Sequence, residues 1–198
     1  REGFMSASPF SLVALGVPLA GALEVDLRTD VPAVNGWLAG SEVDAGAVLR
    51  RLGFGERIDA RFDALSLHLA ARGSRLGDLL DASAMTAEVQ GGHLRLRDPG
   101  TGGVAGFALS TGSVVAGAGE PVRAAVAGRA GDDPVAVSVQ AARLRDLVDA
   151  RRRIPLVVEA ALGGARISLA GDVERPIGAG LRLAIDVAGD RVDGWSAI

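Results

Sequence analysis

The sequence predicts a mainly β fold: an elongated, twisted antiparallel meander that curls into a groove or an open sandwich, with a few short helices. Two observations support this prediction. Short stretches alternate apolar and polar residues, as in 65–69, 135–139 and 154–162, and a period of two is that of a half-buried strand. Turn-forming residues separate these stretches, since the 198 residues include 28 Gly and 8 Pro. Strands joined by short turns pair with their sequence neighbours, which gives a meander.

An eight-residue phrase follows two of these alternating stretches. It reads Arg-Leu-x-Asp-Leu-x-Asp-Ala at 75–82 and again at 143–150. Its apolar residues are three and four positions apart, which is a helical spacing, so each copy predicts a short helical turn after a strand. Looser copies at 30–37 and 191–195 predict two more such turns. Like units that recur along a chain are typical of an array.

This repetition predicts that residues 1–198 are part of one repeating β-groove domain. Residues 1–53 are expected to form a strand pair plus a helix, and residues 54–198 the main antiparallel sheet. The helix is expected to start at Ser41, a good N-cap residue. It is expected to end at Gly53, because glycine is the common residue just after a helix.

Two features of the main sheet concern the continuity of its strands. The apolar phase shifts near Asp63-Ala64, which implies a bulge or a break between two strands. Gly91-Gly92 separates two apolar stretches and predicts a hairpin turn. Glycine-containing turns at 119–121, 131–134 and 163–164 are expected to separate the later strands.

Residues 100–105 match the pattern G-x-G-x-x-A, which is part of the dinucleotide-binding fingerprint. That fingerprint requires a helix immediately after the glycines. The alternation of Val104, Phe107 and Leu109 predicts a strand instead. A glycine turn therefore explains these residues better, and the sequence predicts no cofactor.

Composition excludes several classes of function. There are no cysteines, so thiolate metal sites and disulfides are excluded. The net charge is −3, all basic residues are Arg, and no basic face stands out, so we expect no nucleic-acid partner. The longest apolar run, residues 10–23, contains Gly16 and Pro18 and is shorter than the ~20 residues of a membrane-spanning helix.

No group of residues predicts catalysis or a metal site. His68 and His93 lie on the polar phase of their strands, where solvent-facing positions are the ordinary interpretation. The acidic residues of the repeated phrase, Asp78 with Asp81 and Asp146 with Asp149, are interpreted as complements to helix dipoles. We therefore expect that the protein is not an enzyme.

The apolar phase of the strands supplies the candidate binding surface. Such a long apolar face must be covered, because each Å2 left in water costs about 25 cal/mol. The sequence contains too little helix to cover it. The candidate groove-lining residues are Leu65, Leu67, Leu69, Leu94, Leu96, Phe107, Leu109, Val135, Val137, Val139, Leu156, Val158, Ile167, Leu169, Leu183 and Ile185.

The order of these motifs resembles the AsmA family, the AsmA/TamB-like bacterial envelope proteins related to bridge-like lipid-transfer proteins. The family pattern is an alternating strand, a short leucine turn, a hairpin with a glycine turn, "G-x-P" before a strand, and "L-x-G-x-V-x-x-P" near the end. The segments that carry the resemblance are Leu65 to Asp81, Glu88 to Leu96, Gly119 to Gly128, Asp133 to Val148, Ile154 to Glu159, Ile167 to Val173, and Pro176.

The resemblance implies a trough with an apolar lining that shields or conducts the acyl chains of phospholipids between membranes. It also implies a periplasmic location, a role in outer-membrane biogenesis, other envelope proteins as partners, and an inner-membrane anchor. The chain opens Arg1-Glu2-Gly3 without Met or a signal peptide, so we expect the anchor to lie outside it.

Two alternatives remain open. The first is a closed β-sandwich that acts as a structural or protein-interaction module of an envelope protein without a lipid ligand. The second, an outer-membrane barrel, fits less well, because it needs girdles of aromatic residues and aromatics make up only 4% of this chain.

Overall fold

The computed structural model describes residues 3–14, 16–51, 58–97, 103–148, 153–173 and 181–188. These residues form eleven strands and three short helices. The strands are β1 (Phe4–Ala14), β2 (Val17–Asp26), β3 (Ala33–Asp44), β4 (Ile58–Arg72), β5 (Ala84–Arg97), β6 (Val104–Ala116), β7 (Pro121–Ala130), β8 (Asp133–Arg143), β9 (Ile154–Leu162), β10 (Ala165–Val173) and β11 (Leu181–Ala188). The helices are α1 (Ala45–Arg51), α2 (Leu76–Asp81) and α3 (Leu144–Val148).

All the strands belong to one antiparallel sheet, and their order in space is their order in the sequence. The predicted fold class is therefore confirmed: the protein is a mainly β meander with a few short helices. Strand β3 pairs with β4 from Ala33 to Asp44, so residues on both sides of the expected 53/54 boundary contribute to the same sheet.

Helices α2 and α3 are the two clear copies of the repeated phrase. Helix α2 follows β4 and α3 follows β8, so four strands separate one copy from the next. The structural unit is thus four strands plus a helix, rather than one strand plus a helix.

The register of the strands assigns their side chains to two faces, because opposed residues in neighbouring strands point to the same side. One row across β3 to β10 defines what we call the apolar face: Leu38, Leu67, Ala87, Val114, Ala124, Val139, Val158 and Leu169. A row on the other side, across β5 to β10, defines the polar face: Glu88, Ser113, Ala125, Ser138, Glu159 and Ser168.

A row of irregular positions crosses four adjacent strands. In β4, Asp63 and Ala64 are both exposed, whereas Phe62 and Leu65 on either side are half-buried. The expected phase shift near Asp63-Ala64 is therefore a bulge-like irregularity within one continuous strand.

The neighbouring strands change phase at the same level. In β3 the pair of exposed residues is Ser41-Glu42, and Glu42 has a φ of 52°. In β5 the change falls at Gly91-Gly92, with φ values of 62° and 125°. In β6 it falls at Ser110-Thr111. Because all four strands shift together, their pairing stays in register and their apolar residues stay on one face at both ends.

Two predicted elements of the first part of the chain are wrong. Residues 30–37 do not form a helical turn, because 33–44 is strand β3, held by β2 on one side and β4 on the other. The helix begins at Ala45 rather than after Ser41. Its first turn is capped by Asp44, whose carboxylate accepts a hydrogen bond from the backbone N–H of Ala47 at 2.8 Å.

The predicted hairpin turn at Gly91-Gly92 is also wrong. Strand β5 runs from Ala84 to Arg97 without a turn, and the glycines form its irregular step. A Cβ on Gly92 would lie 2.1 Å from the carbonyl oxygen of Arg61, which explains why this position needs glycine. The expected end of the first helix at Gly53 and the expected turn at 191–195 lie outside the described residues.

The buried side chains cluster at the two ends of the strands. At the end that carries α1, the buried residues include Val17, Val43, Ala60 and Ala165. At the end that carries α2 and α3, they include Ala71, Ala116, Val122, Ala142 and Ile154. Between the two ends the apolar face has no second layer from the described part of the chain.

Candidate functional site

The register brings the candidate lining residues to the apolar face. Leu65, Leu67 and Leu69 oppose Val89, Ala87 and Met85 of β5. The residues of this set whose side chains the structure describes are Leu65, Leu67, Leu69, Leu94, Phe107, Leu109, Val135, Val137, Val139, Leu156, Val158, Ile167 and Leu169. For Leu96, Leu183 and Ile185 only the backbone is described; their register partners are Ile58, Gly171 and Leu169.

Most of the middle of the apolar face is half-buried rather than closed, although Leu109 of β6 keeps only 8% of its accessible surface. Leu69 retains 37% of its accessible surface and Leu23 retains 38%. Among the described residues, no large side chain is fully buried. Neighbouring side chains on the same face provide the partial cover, since they stand within contact distance across the strands.

Helices border this open region at both ends of the strands. At one end α1 contacts β4, where a Cβ on Gly46 would lie 3.1 Å from the backbone nitrogen of Ala60. At the other end α2 contacts β4, α3 contacts β8, and the two helices contact each other. Arg145 of α3 donates a hydrogen bond to the carboxylate of Asp81 of α2. The open strip therefore runs across the strands, between helical borders.

The open strip covers a larger area than the apolar surface patches of typical monomeric proteins. Ten strands, β1 to β10, span about 43 Å at a spacing of about 4.8 Å, and six residues along each strand add about 20 Å. The strip thus measures on the order of 900 Å2, whereas the largest apolar patch of a typical monomer is about 300–600 Å2.

A large depression lies on the other side of the sheet. It has a volume of about 850 Å3 and crosses β5 to β11 on the polar face. Its floor is made of small side chains such as Ala125, Ala136 and Ser138, and Glu88, Glu159, Arg166 and Asp186 contribute charges. Of the candidate lining residues only Val137 and Ile167 border it, so this depression is not the groove expected from the sequence.

The titratable residues do not form a metal site in the part of the chain that the structure describes. His93 Nε2 lies 4.0 Å from Asp59 Oδ2, and both side chains are well exposed. Asp26 has a pKa lowered to about 2, because its carboxylate accepts hydrogen bonds from the guanidinium and then from the backbone N–H of Arg28. This pair is also exposed, and Asp26 borders a depression of about 510 Å3 whose other charged groups are Glu24, Asp30 and Arg72.

The acidic residues of the repeated phrase serve as local contacts. Asp78 lies in the first turn of α2 and Asp146 in the first turn of α3, as expected for complements to helix dipoles. Asp81 instead lies in the last turn of α2, so that part of the interpretation is wrong; its partner is Arg145. Asp149 lies outside the described residues.

No protein-family model, no curated protein and no solved structure matches this chain. Within the described ranges, none of the helices has the length and apolar character needed to cross a bilayer. The resemblance to AsmA-like proteins accordingly stays a prediction, and the function has to be argued from the geometry of the sheet.

Proposed function

We propose that the apolar face binds the acyl chains of phospholipids and shields them from water as part of a bacterial envelope protein. The observation that supports this proposal is the open apolar strip, which has helices at both ends of the strands and no described layer above it. The resemblance to AsmA-like proteins supports the wider setting: a periplasmic protein, anchored in the inner membrane, that takes part in outer-membrane biogenesis.

Acyl chains match the chemistry of this strip. The Leu, Val and Ile side chains of the apolar face offer no hydrogen bonds, and an acyl chain requires none. Each CH2 group that leaves water gains about 0.8 kcal/mol. The strip is longer across the strands than along them, so we infer that bound chains lie across the strands, between the border of α1 and that of α2 and α3.

Native mass spectrometry of the purified protein tests this proposal, with Val137→Asp and Ala136→Asp as a matched pair. The two positions are adjacent in β8 but lie on opposite faces. We expect co-purified phospholipid on the wild type and on Ala136→Asp, and loss of most of it from Val137→Asp. Circular dichroism checks that each variant folds, and Val137→Thr provides a milder polar change of nearly the same shape.

A second candidate is a protein-interaction module without lipid. The specific observation in its favour is the area of the strip, since about 800 Å2 per partner is ordinary for a stable protein interface. All described strands belong to one sheet, so a closed sandwich needs a second sheet from outside the described residues. A lipid-free dimer in the same spectra, dissociated by Val137→Asp, would favour this candidate and contradict the lipid proposal.

A further inference from the structure

The polar face carries an exposed tryptophan on the third strand of the sheet. Trp37 of β3 keeps 43% of its accessible surface. Its direct neighbours across the strands are Ala22 of β2 and His68 of β4. Alanine cannot cover an indole ring, so one flank of Trp37 stays open. An aromatic ring of this size usually lies in a core or an interface. Among the described residues, Trp37 lies in neither.

Trp37 borders a second depression, which has a volume of about 610 Å3. Its floor includes Ala70 and Ala84, whose small side chains leave room beside the ring. Polar side chains surround the ring: Glu24, Asn35, His68 and Thr86. Thr86 opposes His68, and Glu24 opposes Asn35, so these groups lie in two adjacent rows of the same face.

Several hydrogen-bonding groups in this depression have no partner among the described residues. Within the part of the chain that the structure describes, the side chains of Glu24, Asn35, Trp37 and Thr86 make no hydrogen bond to another protein group. They include an amide that both donates and accepts, a carboxylate that accepts, a hydroxyl that does either, and an indole N–H that donates. Such a set can satisfy several neighbouring hydroxyl groups of one ligand.

We propose that this depression binds a neutral oligosaccharide, with one sugar ring stacked on Trp37. The C–H groups on the flat side of a sugar carry slight positive charge, and the face of an indole ring is negative. Asn35 and Glu24 lie on the strand positions beside the ring and hydrogen-bond the hydroxyls at the edge of the sugar. Small concave sites that combine one aromatic surface with a few polar groups are typical ligand sites.

The surroundings of Trp37 favour a sugar over a membrane surface. Interfacial tryptophans of membrane proteins insert beside other apolar residues and basic side chains. Trp37 instead has a carboxylate, an amide and a hydroxyl around it, and Glu24 would repel anionic headgroups. The site also lies on the face opposite the apolar strip, so its occupancy does not depend on the lipid proposal.

Calorimetric titration of the full chain with cellotetraose, maltotetraose and chitotetraose tests the proposal. We expect saturable binding of at least one of these sugars. Trp37→Ala should abolish the binding, Trp37→Phe should weaken it by about tenfold because a smaller ring remains for stacking, and Asn35→Ala should weaken it while the ring is intact. Val157→Ala is the matched control, because Val157 is an exposed apolar residue on the same face, in β9.

Fluorescence distinguishes the possible outcomes. Replacing Trp195 with Phe leaves Trp37 as the only reporter, since the chain has two tryptophans. A saturable change with sugar, and none with phosphatidylglycerol vesicles, supports the proposal. A response to the vesicles alone would identify Trp37 as a membrane-contacting residue and overturn it. Absence of any response, or equal sugar binding by wild type and Trp37→Ala, would overturn it as well.

Discussion

The two faces of this sheet are built from alternate residues of the same strands, yet they differ in almost every property. On the apolar face, Val137 and Ile167 are half-buried among other branched side chains. On the polar face, their neighbours Ala136 and Ser168 are exposed. The comparison teaches that one layer of strands can carry two separate surfaces, one of branched apolar side chains and one of small, polar and scattered apolar side chains.

The separation of the faces depends on the irregular row through β3 to β6. Without an extra residue in each of these strands, the apolar residues beyond the row would move to the polar face, because a shift of one position reverses every side chain. Val43 and Phe62 at one end and Leu38 and Leu67 at the other share a face only because of this row.

The largest expected effect comes from Gly92→Ala in the irregular row. A Cβ there would lie 2.1 Å from the carbonyl oxygen of Arg61, at a φ of 125°. We expect a loss of about 3 kcal/mol or more in the free energy of unfolding, measured with urea. Gly131→Ala is the control: its φ is 59° but a Cβ there meets nothing, so only about 1 kcal/mol should be lost. Equal losses would contradict the role of the row.

A smaller effect should separate the faces directly, through Ile167→Gln and Ser168→Gln in β10. Glu159 and Asp186 flank Ser168 on the neighbouring strands. Because glutamine is uncharged, neither carboxylate repels the new side chain, and the comparison measures burial alone. Ile167→Gln removes half-buried apolar surface and should cost about 1–2 kcal/mol, whereas Ser168→Gln should stay within about 0.5 kcal/mol. Thermal unfolding followed by circular dichroism measures both, and a reversed order would refute the assignment of the faces.

The smallest effect concerns the best-formed ion pair of the polar face. Arg28 donates to both carboxylate oxygens of Asp26, at 2.9 and 2.6 Å, and the pKa of Asp26 is lowered to about 2. A lowered pKa means that the pair stabilises the fold above pH ~4, the range of an ordinary Asp, and that this contribution is lost as the pH falls through about 2.

Carbon-13 NMR titration of the Asp26 carboxyl checks this prediction. In Arg28→Gln the pKa should return toward the ordinary value of 3.8, while the unfolding curve at pH 7 changes little because the pair is exposed. A pKa of Asp26 that is the same in both proteins would show that the pair is not formed in solution.

The alternation of residues was sufficient to predict the class of fold and the composition of the apolar face. Leu65, Leu67 and Leu69 lie where the period of two places them, and the phase shift at Asp63-Ala64 marked the irregular row. The alternation was not sufficient at Gly91-Gly92, because two glycines between apolar stretches fit both a hairpin turn and a bulge. Only the pairing with β4 and β6 decides between them.

Pairing also explains the features that sequence reasoning missed. Val31, Val34 and Trp37 are spaced like one side of a helix, yet β2 and β4 draw residues 33–44 into the sheet. The surroundings of Trp37 were not predictable, because His68 and Thr86 come beside it through the register of distant segments. The small residues at alternate positions of 125–127 and 136–138 were the available signal for the depression on the polar face.

The strictly sequential order of the strands also determines how the sheet responds to force and to loss of parts. Every described strand pairs with its neighbours in the sequence, and the contact between α2 and α3 links more distant segments at one end of the strands. When the chain is pulled at its two ends, we expect the strands to unpair one hairpin at a time, starting from β1 or β11. The sheet should then unfold in a series of small steps rather than in one large rupture.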